Sequence, residues 1–588
     1  MQNDYFRRCI HSIKKIYAYK MTFWKGVLFN IFISTVICAF SILGGELDYP
    51  GNDDTFRNLI SVGAFGNQYN YYLPYSNVLY GIPIMALNRL VPSINWYYWV
   101  MIGISVFSIS IVCAIVCDNL VFPLSSCACV LVNILLSRDY YVAVQFTKVA
   151  SLWFVCGAMI MIVSIVKNKN IWKIGCILIL FGIMCRDSCA KMLLPFVTLF
   201  AIFFTYKAWN TSIYHEQIVK KIIKQLSILL IALMMLIVSE WFFLNRNQSW
   251  KSYWDYENAN ALVIDRGMNL SYEHNPEAYS RIETDDNDLK LYSKWQFGDS
   301  DFYSVDWLTQ VKKIESEYND RSLRINQDVL TIPFVMILDT IIGNGGSSRW
   351  LVISALASVL FILVIGKMPD KIYALGNVVG IYGVYWYFSC INRFMWRVEC
   401  GIFVAVLLSA LFYIRYSIEL KIDEYLKIDP IHGKKISRVL ALVTTSVILI
   451  FCCVINVYNW RYVKDKAIVA READITGRLE NFVASNENFY ILTDFYVTNN
   501  PMSITRAKYE NLYENSAYAG NWTFPSPAMM DSLQKRGYSN PMRALMDKNV
   551  YLHATNPEIA EMIRKHLQKV LDKELSLSEI NNELYSIR

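Results

Sequence analysis

Two adjacent carboxylates, Asp53 and Asp54, follow the first long apolar run of the chain, in the sequence NDD at 52–54. A carboxylate at the mouth of a helix bundle can act as a general base toward a hydroxyl group. The alternative role is structural, because an acidic residue that precedes a helix satisfies its free backbone N–H groups, and the segment TFRNLISVGAFG that follows has helical spacing. Capping needs one carboxylate, so we expect the other, with Asp54 favoured, to face a cavity.

Three arginines lie at the ends of apolar runs, Arg186 in CRDSCAK and Arg393 and Arg397 in RFMWR. A charge at membrane depth is costly and usually faces a polar cavity or a partner. A guanidinium group in such a place can bind phosphate through two parallel hydrogen bonds, so we predict phosphate contacts for these arginines. The alternative is internal ion pairing, of Arg186 with Asp187 and of Arg397 with Glu399.

Two further residues are candidates for substrate contacts. Asp139 opens a helix in SRDYYVAVQFTK, where it either joins the acidic site or caps its own helix. Tyr72 belongs to the tyrosine-rich stretch NQYNYYLPYSNVLYG, whose rings either stack on a sugar or lie at the bilayer interface, which aromatic side chains favour. The later run ETDDNDLKLYSKWQFGDSDFY has acids without regular ligand spacing, so we expect a solvated surface there and leave a divalent metal open.

The composition indicates a membrane protein. Of the 588 residues, 55% are hydrophobic and 18% are charged, whereas soluble domains carry about 25% charged residues. The basic residues are dispersed between apolar runs and form no stripe, so nucleic acid is not an expected partner. Most of the 14 cysteines lie in or beside apolar runs, and the polar segments 245–330 and 459–588 contain none, which argues against a disulfide framework.

Eleven apolar runs have about the length that crosses a hydrocarbon core of ~30 Å. These predicted spans are 22–44, 97–117, 119–136, 148–166, 171–185, 190–206, 225–244, 350–366, 372–389, 396–414 and 438–458. The segment 76–92 is shorter and contains Gly81, Pro83 and Arg89, so we interpret it as a helix that lies at the interface. The basic short loops then fall on one side, which the positive-inside rule makes cytoplasmic. The N-terminus is predicted to be cytoplasmic, and the C-terminus and the candidate residues face outward.

The predicted fold is therefore a predominantly α-helical, polytopic transmembrane bundle with about eleven spans and interfacial helices in the first external loop. An N-terminal transmembrane module at 1–244 contains that loop at 45–96. A long external loop with re-entry follows at 245–349, and further transmembrane helices follow at 350–458. Strand-like runs and a helical pattern in PEIAEMIRKHLQKVL predict a small external α/β domain at 459–588.

In this order of features the chain resembles the C superfamily of glycosyltransferases (GT-C), multi-pass enzymes that use sugars linked to polyprenyl phosphate. The NDD of 52–54 occupies the place of that family's catalytic aspartate, and PYSNVLYGIPIMALNRLVPSINWYYW is similar to its second interfacial helix. The segments NDLKLYSKW, YAGNWTFPSP and GYSNPMRALMDKNVYLHA resemble bacterial polytopic proteins associated with surface polysaccharide. The first loop departs from the family's D-x-D or E-x-D spacing unless Asp48 contributes. Whether the protein needs a metal ion is therefore left open.

The resemblance implies a glycosyltransferase in the cell membrane that moves a sugar from a polyprenyl-phosphate carrier to a cell-envelope glycan or a lipid-linked acceptor. Asp54 or Asp53 would be the base, and Arg186, Arg393 and Arg397 would contact the phosphate. One alternative is a polysaccharide polymerase or ligase, which would rely on arginines and a long external loop. Another is a flippase for lipid-linked oligosaccharide, which would usually have internal repeats and broken helices.

Overall fold

A computed structural model describes residues 23–66, 68–118, 122–166, 170–211, 215–265, 268–318, 327–342, 349–391, 396–417, 433–461, 488–494, 500–509, 513–581 and 583–588. The chain is mainly helical with a small sheet near its C-terminus, which confirms the predicted class.

The α-helices of these residues are numbered in chain order. They are α1 (Phe23–Gly44), α2 (Asn52–Val62), α3 (Val78–Leu90), α4 (Trp96–Val116), α5 (Phe122–Ser137), α6 (Phe146–Val166), α7 (Trp172–Cys185), α8 (Asp187–Thr211), α9 (His215–Arg246), α10 (Gln248–Asn260), α11 (Pro276–Arg281), α12 (Asp286–Ser293), α13 (Val305–Ser316), α14 (Gln327–Ile342), α15 (Arg349–Ile365), α16 (Met368–Cys390), α17 (Trp396–Ser417), α18 (Gly433–Tyr458), α19 (Arg506–Tyr509), α20 (Pro527–Lys535), α21 (Pro541–Ala544) and α22 (Pro557–Leu571). The strands are β1 (Phe489–Leu492), β2 (Ser516–Tyr518), β3 (Val550–His553), β4 (Leu577–Asn581) and β5 (Leu584–Ile587).

Six of the described helices are long and apolar enough to cross a membrane, and they indicate a membrane protein. They comprise Phe23–Gly44, Trp96–Val116, Phe146–Val166, Asp187–Asn210, His215–Arg246 and Arg397–Tyr416. In α1, α4 and α6 the apolar side chains surround the helix instead of forming one stripe, as in helices enclosed by lipid or by other helices. The helices α5, α7, α15, α16 and α18 coincide with the other five predicted runs. The total of eleven spans and their sidedness stay predictions.

The first predicted external loop folds into the short helices α2 and α3. Gly51 is the N-cap of α2 and offers no side chain, and Gly63 ends the helix with a φ of 70°, a left-handed conformation that glycine adopts without a steric cost. Asp53 and Asp54 lie in the first turn of α2, so the interpretation that one of them caps the helix is wrong. Both carboxylates still lie near the positive end of the helix dipole.

An additional apolar helix, α14, lies inside the stretch 245–349 that the sequence analysis treated as an external loop with re-entry. The hydroxyl of Tyr382 in α16 donates to the carbonyl of Leu330 at 2.9 Å. The hydroxyl of Thr340 donates to Glu399 of α17 at 2.7 Å. These contacts attach the end of the predicted loop to the helix bundle.

The C-terminal segment contains a five-stranded sheet with the strand order β2-β1-β3-β5-β4. β1 pairs in parallel with β2 and β3, so Ile491 lies opposite Ala517 on one side and Leu552 on the other. β5 and β4 extend the sheet with antiparallel pairs. Helix α22 buries Ile563 and Leu567 in the same core. A small α/β fold, predicted for 459–588, is therefore present in the described part of that segment.

The helices α10 to α13 pack on this sheet and share its core. The side chain of Gln296 donates to the carbonyl of Thr493 at 3.0 Å, and Asn287 donates to the carbonyl of Met562 at 3.0 Å. We call the described residues of 248–316 and 488–588 together the α/β unit, because they form one packed body although the sequence analysis separated them.

Helix α2 lies between the α/β unit and the helix bundle. On one side the rings of Phe56 and Tyr518 meet edge to face with their centroids 5.7 Å apart. Arg506 donates to the carbonyls of Val62 and Gly63 at 2.7 and 2.8 Å. The bundle covers the other side of α2, where Tyr97 and Phe146 bind Asp54 and Arg397 pairs with Asp53.

Candidate functional site

The accessible carboxylate of the pair is Asp53, which forms an ion pair with Arg397. The distance from Asp53 Oδ2 to Arg397 Nη1 is 2.7 Å, and the two side chains remain 21% and 16% exposed. Glu399 accepts hydrogen bonds from Thr340 and Tyr385, so the alternative pairing of Arg397 with Glu399 is wrong. Both residues were predicted at the site, but their pairing was not, because they lie more than 300 positions apart.

Asp54 is fully buried, with 0% of its surface exposed. Its Oδ1 accepts a hydrogen bond from the hydroxyl of Tyr97 at 2.8 Å and one from the backbone N–H of Phe146 at 3.0 Å. Its Oδ2 has no hydrogen-bond partner among the described residues. Burial raises the pKa of Asp54 to about 7. The charge of Arg57 and the hydrogen bond from Tyr97 lower this pKa, whereas the nearby charge of Asp53 raises it further.

Arg57, which the sequence analysis did not single out, lies beside Asp54 on the same face of α2. Its guanidinium carbon is 3.9 Å from the ring centroid of Phe146 and 5.6 Å from that of Tyr97. It donates to the hydroxyl of Ser76, and it is fully buried. The i, i+3 spacing from Asp54 was the available signal, because residues three apart on a helix are neighbours.

Arg186 lies between two aromatic rings. Its guanidinium carbon is 4.7 Å from the ring centroid of Phe146 and 5.4 Å from that of Tyr75. Asp187 pairs with Lys191 at 2.5 Å, and Arg186 makes no ion pair with any residue that the structure describes, so the predicted alternative with Asp187 is wrong. Its Nε donates to the hydroxyl of Ser188 at 3.0 Å and its Nη1 to that of Thr147 at 3.1 Å. The remaining N–H groups of the guanidinium are the ones available to an anion.

The starts of four helices meet at these residues. Asp53 and Asp54 occupy the first turn of α2, Phe146 begins α6, Arg186 directly precedes α8, and Arg397 is the second residue of α17. The contacts given above connect them in one chain, from Arg397 through the two carboxylates and Phe146 to Arg186. Because helix N-termini carry partial positive charge and free N–H groups, the arrangement is suited to an anionic group.

Asp139, a predicted substrate contact, forms a buried ion pair. It lies in the π-helical segment Arg138–Val142, and its Oδ1 is 2.6 Å from Nζ of Lys148, with 2% and 0% of the side chains exposed. Lys148 also donates to the carbonyl of Ala143 at 3.1 Å. The pair lies in the bundle core, so a substrate would reach Asp139 only if this pair opened.

Tyr72, the other predicted substrate contact, lies apart from the carboxylates. Its ring stacks on Trp250 with the centroids 4.9 Å apart, and its hydroxyl donates to the carbonyl of Phe243 at 2.9 Å. It borders a separate cleft between the first loop and the α/β unit.

Arg393, the remaining predicted phosphate contact, lies outside the described residues. Within the residues that the structure describes, there is no group of three or more His, Cys, Asp or Glu side chains arranged to hold a metal ion. The metal requirement therefore stays open.

The acidic run at 283–303 is partly buried, so the expectation of a solvated surface is wrong for Asp288 and Asp299. Both are fully buried and flank His566, with Nδ1 2.7 Å from Asp288 and Nε2 3.4 Å from Asp299. Burial lowers the pKa of His566, but the hydrogen bonds and charges of the two carboxylates outweigh this and raise it overall. Arg543 and Lys569 balance the remaining negative charge. No local pattern identified this cluster, because His566 comes from the far end of the chain.

The chain matches no family model, no curated protein and no solved structure.

Proposed function

We propose that the chain is a membrane glycosyltransferase of the GT-C kind, which transfers a sugar from polyprenyl phosphate to a cell-envelope glycan or a lipid-linked acceptor. The observation that carries the proposal is the accessible Asp53–Arg397 pair, which Asp54 and Phe146 connect to Arg186 where four helices begin. Sugar transfer from such a donor needs an acceptor for a hydroxyl proton and cations for a phosphate leaving group. We further propose that this site faces the outside of the cell membrane.

Arg186 and Arg397 are proposed to bind the phosphate of the lipid-linked sugar. Arg186 is already oriented by Phe146 and Tyr75 and has no carboxylate partner among the described residues. Arg397 is held by Asp53 until substrate arrives, and a phosphate would compete for its guanidinium. Two guanidinium groups together can neutralise the charge that develops as the phosphate leaves.

The proposed reaction is a single displacement. The oxygen of an acceptor hydroxyl attacks the anomeric carbon and forms the new glycosidic bond. The bond between that carbon and the phosphate oxygen breaks, and its electron pair leaves with the lipid phosphate. The hydroxyl proton passes to the Asp53 carboxylate, so atoms and charge balance, and attack opposite the leaving group inverts the anomeric centre.

We assign the contact with the acceptor to Asp53 and a supporting role to Asp54. The two neighbours have different surroundings, which gives them different chemical roles. Asp53 is partly exposed, whereas Asp54 is covered by Tyr97 and Phe146. Asp54 accepts hydrogen bonds from Tyr97 and Phe146, which hold α2 against α4 and α6. The sequence favoured Asp54 as the base, and this proposal assigns that role to Asp53 instead.

The test uses the full-length protein in lipid nanodiscs with a polyprenyl-phosphate hexose as donor and a membrane extract of the native host as acceptor. Mass spectrometry then follows both the release of polyprenyl phosphate and the glycosylated product. We expect Asp53→Asn to lower product formation about a hundredfold or more, the usual contribution of a general base. Asp54→Asn should retain measurable transfer, because asparagine keeps an acceptor oxygen for Tyr97 and Phe146.

Asp286→Asn is the matched control, since Asp286 also lies in the first turn of a short helix but is 55% exposed and pairs with a lysine of its own helix. Full transfer by folded Asp53→Asn protein would refute the assignment. Movement of the intact donor across vesicles without phosphate release would favour the flippase alternative instead. If the Asp53→Asn variant still joins glycan chains, the result would favour the polymerase or ligase alternative.

A further inference from the structure

A cleft of about 540 Å³ lies where the first loop, α3, α10 and α20 meet. Its volume falls in the range of natural small-molecule sites, about 300–1,000 Å³. The C-terminal end of α2 lines the cleft through Ile60 and Gly63, and the start of α20 lines it through Pro527 and Ala528. The cleft therefore joins the segment that carries the carboxylates to the α/β unit.

Most of the polar groups in this cleft are uncharged. The neutral side chains that line it belong to Gln68, Asn70, Asn247, Ser249 and Gln534. Amide side chains both donate and accept hydrogen bonds, and hydroxyl groups do the same. The side chains of Gln68, Ser249 and Gln534 make no hydrogen bond to any part of the chain that the structure describes, so they are available to a ligand with many hydroxyl groups.

Aromatic rings supply the apolar part of the lining. Tyr72 and Trp250 are stacked and buried, which makes them a rigid base. Tyr71 packs on Tyr72 with the ring centroids 4.6 Å apart and remains partly exposed. Rings combined with neutral hydrogen-bonding groups suit a ligand that has apolar C–H faces and polar edges.

Charge in the cleft is sparse. Asp531 lies 3.3 Å from Lys535 of the same helix, which offsets its carboxylate. Arg89 is exposed at the rim, and its guanidinium carbon lies 5.9 Å from the ring centroid of Tyr69. A site for a multiply charged ligand would concentrate charge of one sign, and this lining does not.

We propose that the cleft binds a neutral oligosaccharide. The ligand's hydroxyl groups pair with the amides of Gln68 and Gln534 and with the hydroxyl of Ser249, and its C–H faces pack on Tyr71. Saccharide binding at this cleft does not depend on sugar transfer at Asp53. An experiment can therefore disprove the binding site without disproving the proposed function, and the reverse. The cleft lies one helix away from the carboxylates, ~15 Å along α2 from Asp53 to Gly63, so it is a site distinct from them.

The test measures binding of maltotriose and cellotriose to the full chain in nanodiscs prepared without sugar detergents. Saturation-transfer NMR reports which sugar protons contact the protein. We expect the double variant Gln68→Ala with Gln534→Ala to weaken binding about tenfold, from the loss of two neutral hydrogen bonds. Ser249→Trp places an indole in the cleft from an exposed position of α10, and it should abolish binding while the protein remains folded.

Gln310→Ala is the matched control, because Gln310 is an exposed glutamine of α13 that does not line the cleft. Three results would overturn the proposal: no saturation transfer to either neutral trisaccharide, binding that neither variant changes, or stronger binding of an oligogalacturonate or of inorganic phosphate. Free maltotriose should bind as well as dodecyl maltotrioside, and a requirement for the dodecyl chain would also overturn it. Binding with no transfer activity would leave this proposal standing and remove the proposed function.

Discussion

Replacing Asp54 with asparagine is expected to remove a titration near neutral pH and to stabilise the protein at alkaline pH. Burial raises the pKa of Asp54 to about 7 in the folded chain, compared with about 3.9 for an unperturbed aspartate. The folded state therefore retains a proton that the unfolded chain releases at lower pH. The stability that this proton gives is fully present below the unfolded pKa and is lost as pH rises to about 7.

The size of the effect follows from the shift. The folded and unfolded pKa values differ by about three units, and each unit corresponds to ~1.4 kcal/mol. Above about pH 7 the charged Asp54 therefore costs the folded protein on the order of 4 kcal/mol relative to acid pH. Asparagine is neutral at every pH and keeps an oxygen for Tyr97 and Phe146. The variant and the wild type should thus have similar stability at acid pH and diverge by up to that amount at alkaline pH.

Two measurements on nanodisc samples check this expectation. Thermal unfolding across a pH series gives the stability difference, and infrared difference spectroscopy follows the C=O stretch of the protonated carboxyl group directly. Asp53→Asn is an informative companion, because the charge of Asp53 contributes to the raised pKa of Asp54. Its removal should shift the infrared titration to lower pH. Asp286→Asn should leave the titration unchanged.

A single result would refute the reasoning about this buried acid. The wild type should have a carboxyl band that titrates near pH 7, and this band should be missing in Asp54→Asn. If no such band is found, Asp54 is solvated or ion-paired, and its pKa is not raised by burial. Equal pH dependence of stability in the wild type and Asp54→Asn would lead to the same conclusion.

Three further perturbations have defined outcomes. Asp139→Asn should destabilise the bundle by ~3–5 kcal/mol because it removes the carboxylate that pairs with the buried ammonium of Lys148. Denaturant unfolding measures this loss of stability, and the double variant Asp139→Asn with Lys148→Met should recover most of it. Burial opposes the shift, but the pKa of Asp299 is lowered overall to about 2, chiefly by the hydrogen bond from His566. Asp299 therefore contributes ~2 kcal/mol to the stability of the α/β unit above about pH 4, and this contribution is lost as pH falls toward 2. The contribution of His566 is present below about pH 6.5 and is lost as pH rises through its raised folded pKa. Near-UV circular dichroism across a pH series measures both losses, and a signal that is unchanged at low and at high pH would contradict them. Arg186→Lys keeps the charge but not the planar fork, so we expect about tenfold weaker retention of polyprenyl phosphate in native mass spectrometry, and unchanged retention would contradict a phosphate contact.

The helices were predictable because their apolar runs are long and uninterrupted. The ends of α1, α4 and α6 fall within a few residues of the predicted limits. The additional helix α14 was missed because it lies next to a polar stretch and contains Pro333, two signals typical of a loop. Propensity alone does not distinguish such a helix from a connection.

The site was predictable in its residue types but not in its partners. Asp53 was predictable as an acidic residue at the mouth of a helix bundle that can act as a general base. Arg186 and Arg397 were predictable as charges at membrane depth, which usually face a polar cavity or a partner. The contact between Asp53 and Arg397 was not predictable, since it depends on which helix starts meet in three dimensions. Which of Asp53 and Asp54 is buried was not predictable either, because it follows from the rotation of α2, and the short amphipathic pattern does not fix that rotation.

The position of α2 between the helix bundle and the α/β unit has a consequence for the order in which the protein matures. During translation the residues of α2 are made more than 400 residues before Arg506 and Tyr518, which pack against this helix. Domains generally fold in the order in which they leave the ribosome. Helix α2 therefore gains its final surroundings only after synthesis has passed Tyr518, so a product terminated before that residue would insert its early helices without completing the packing of α2.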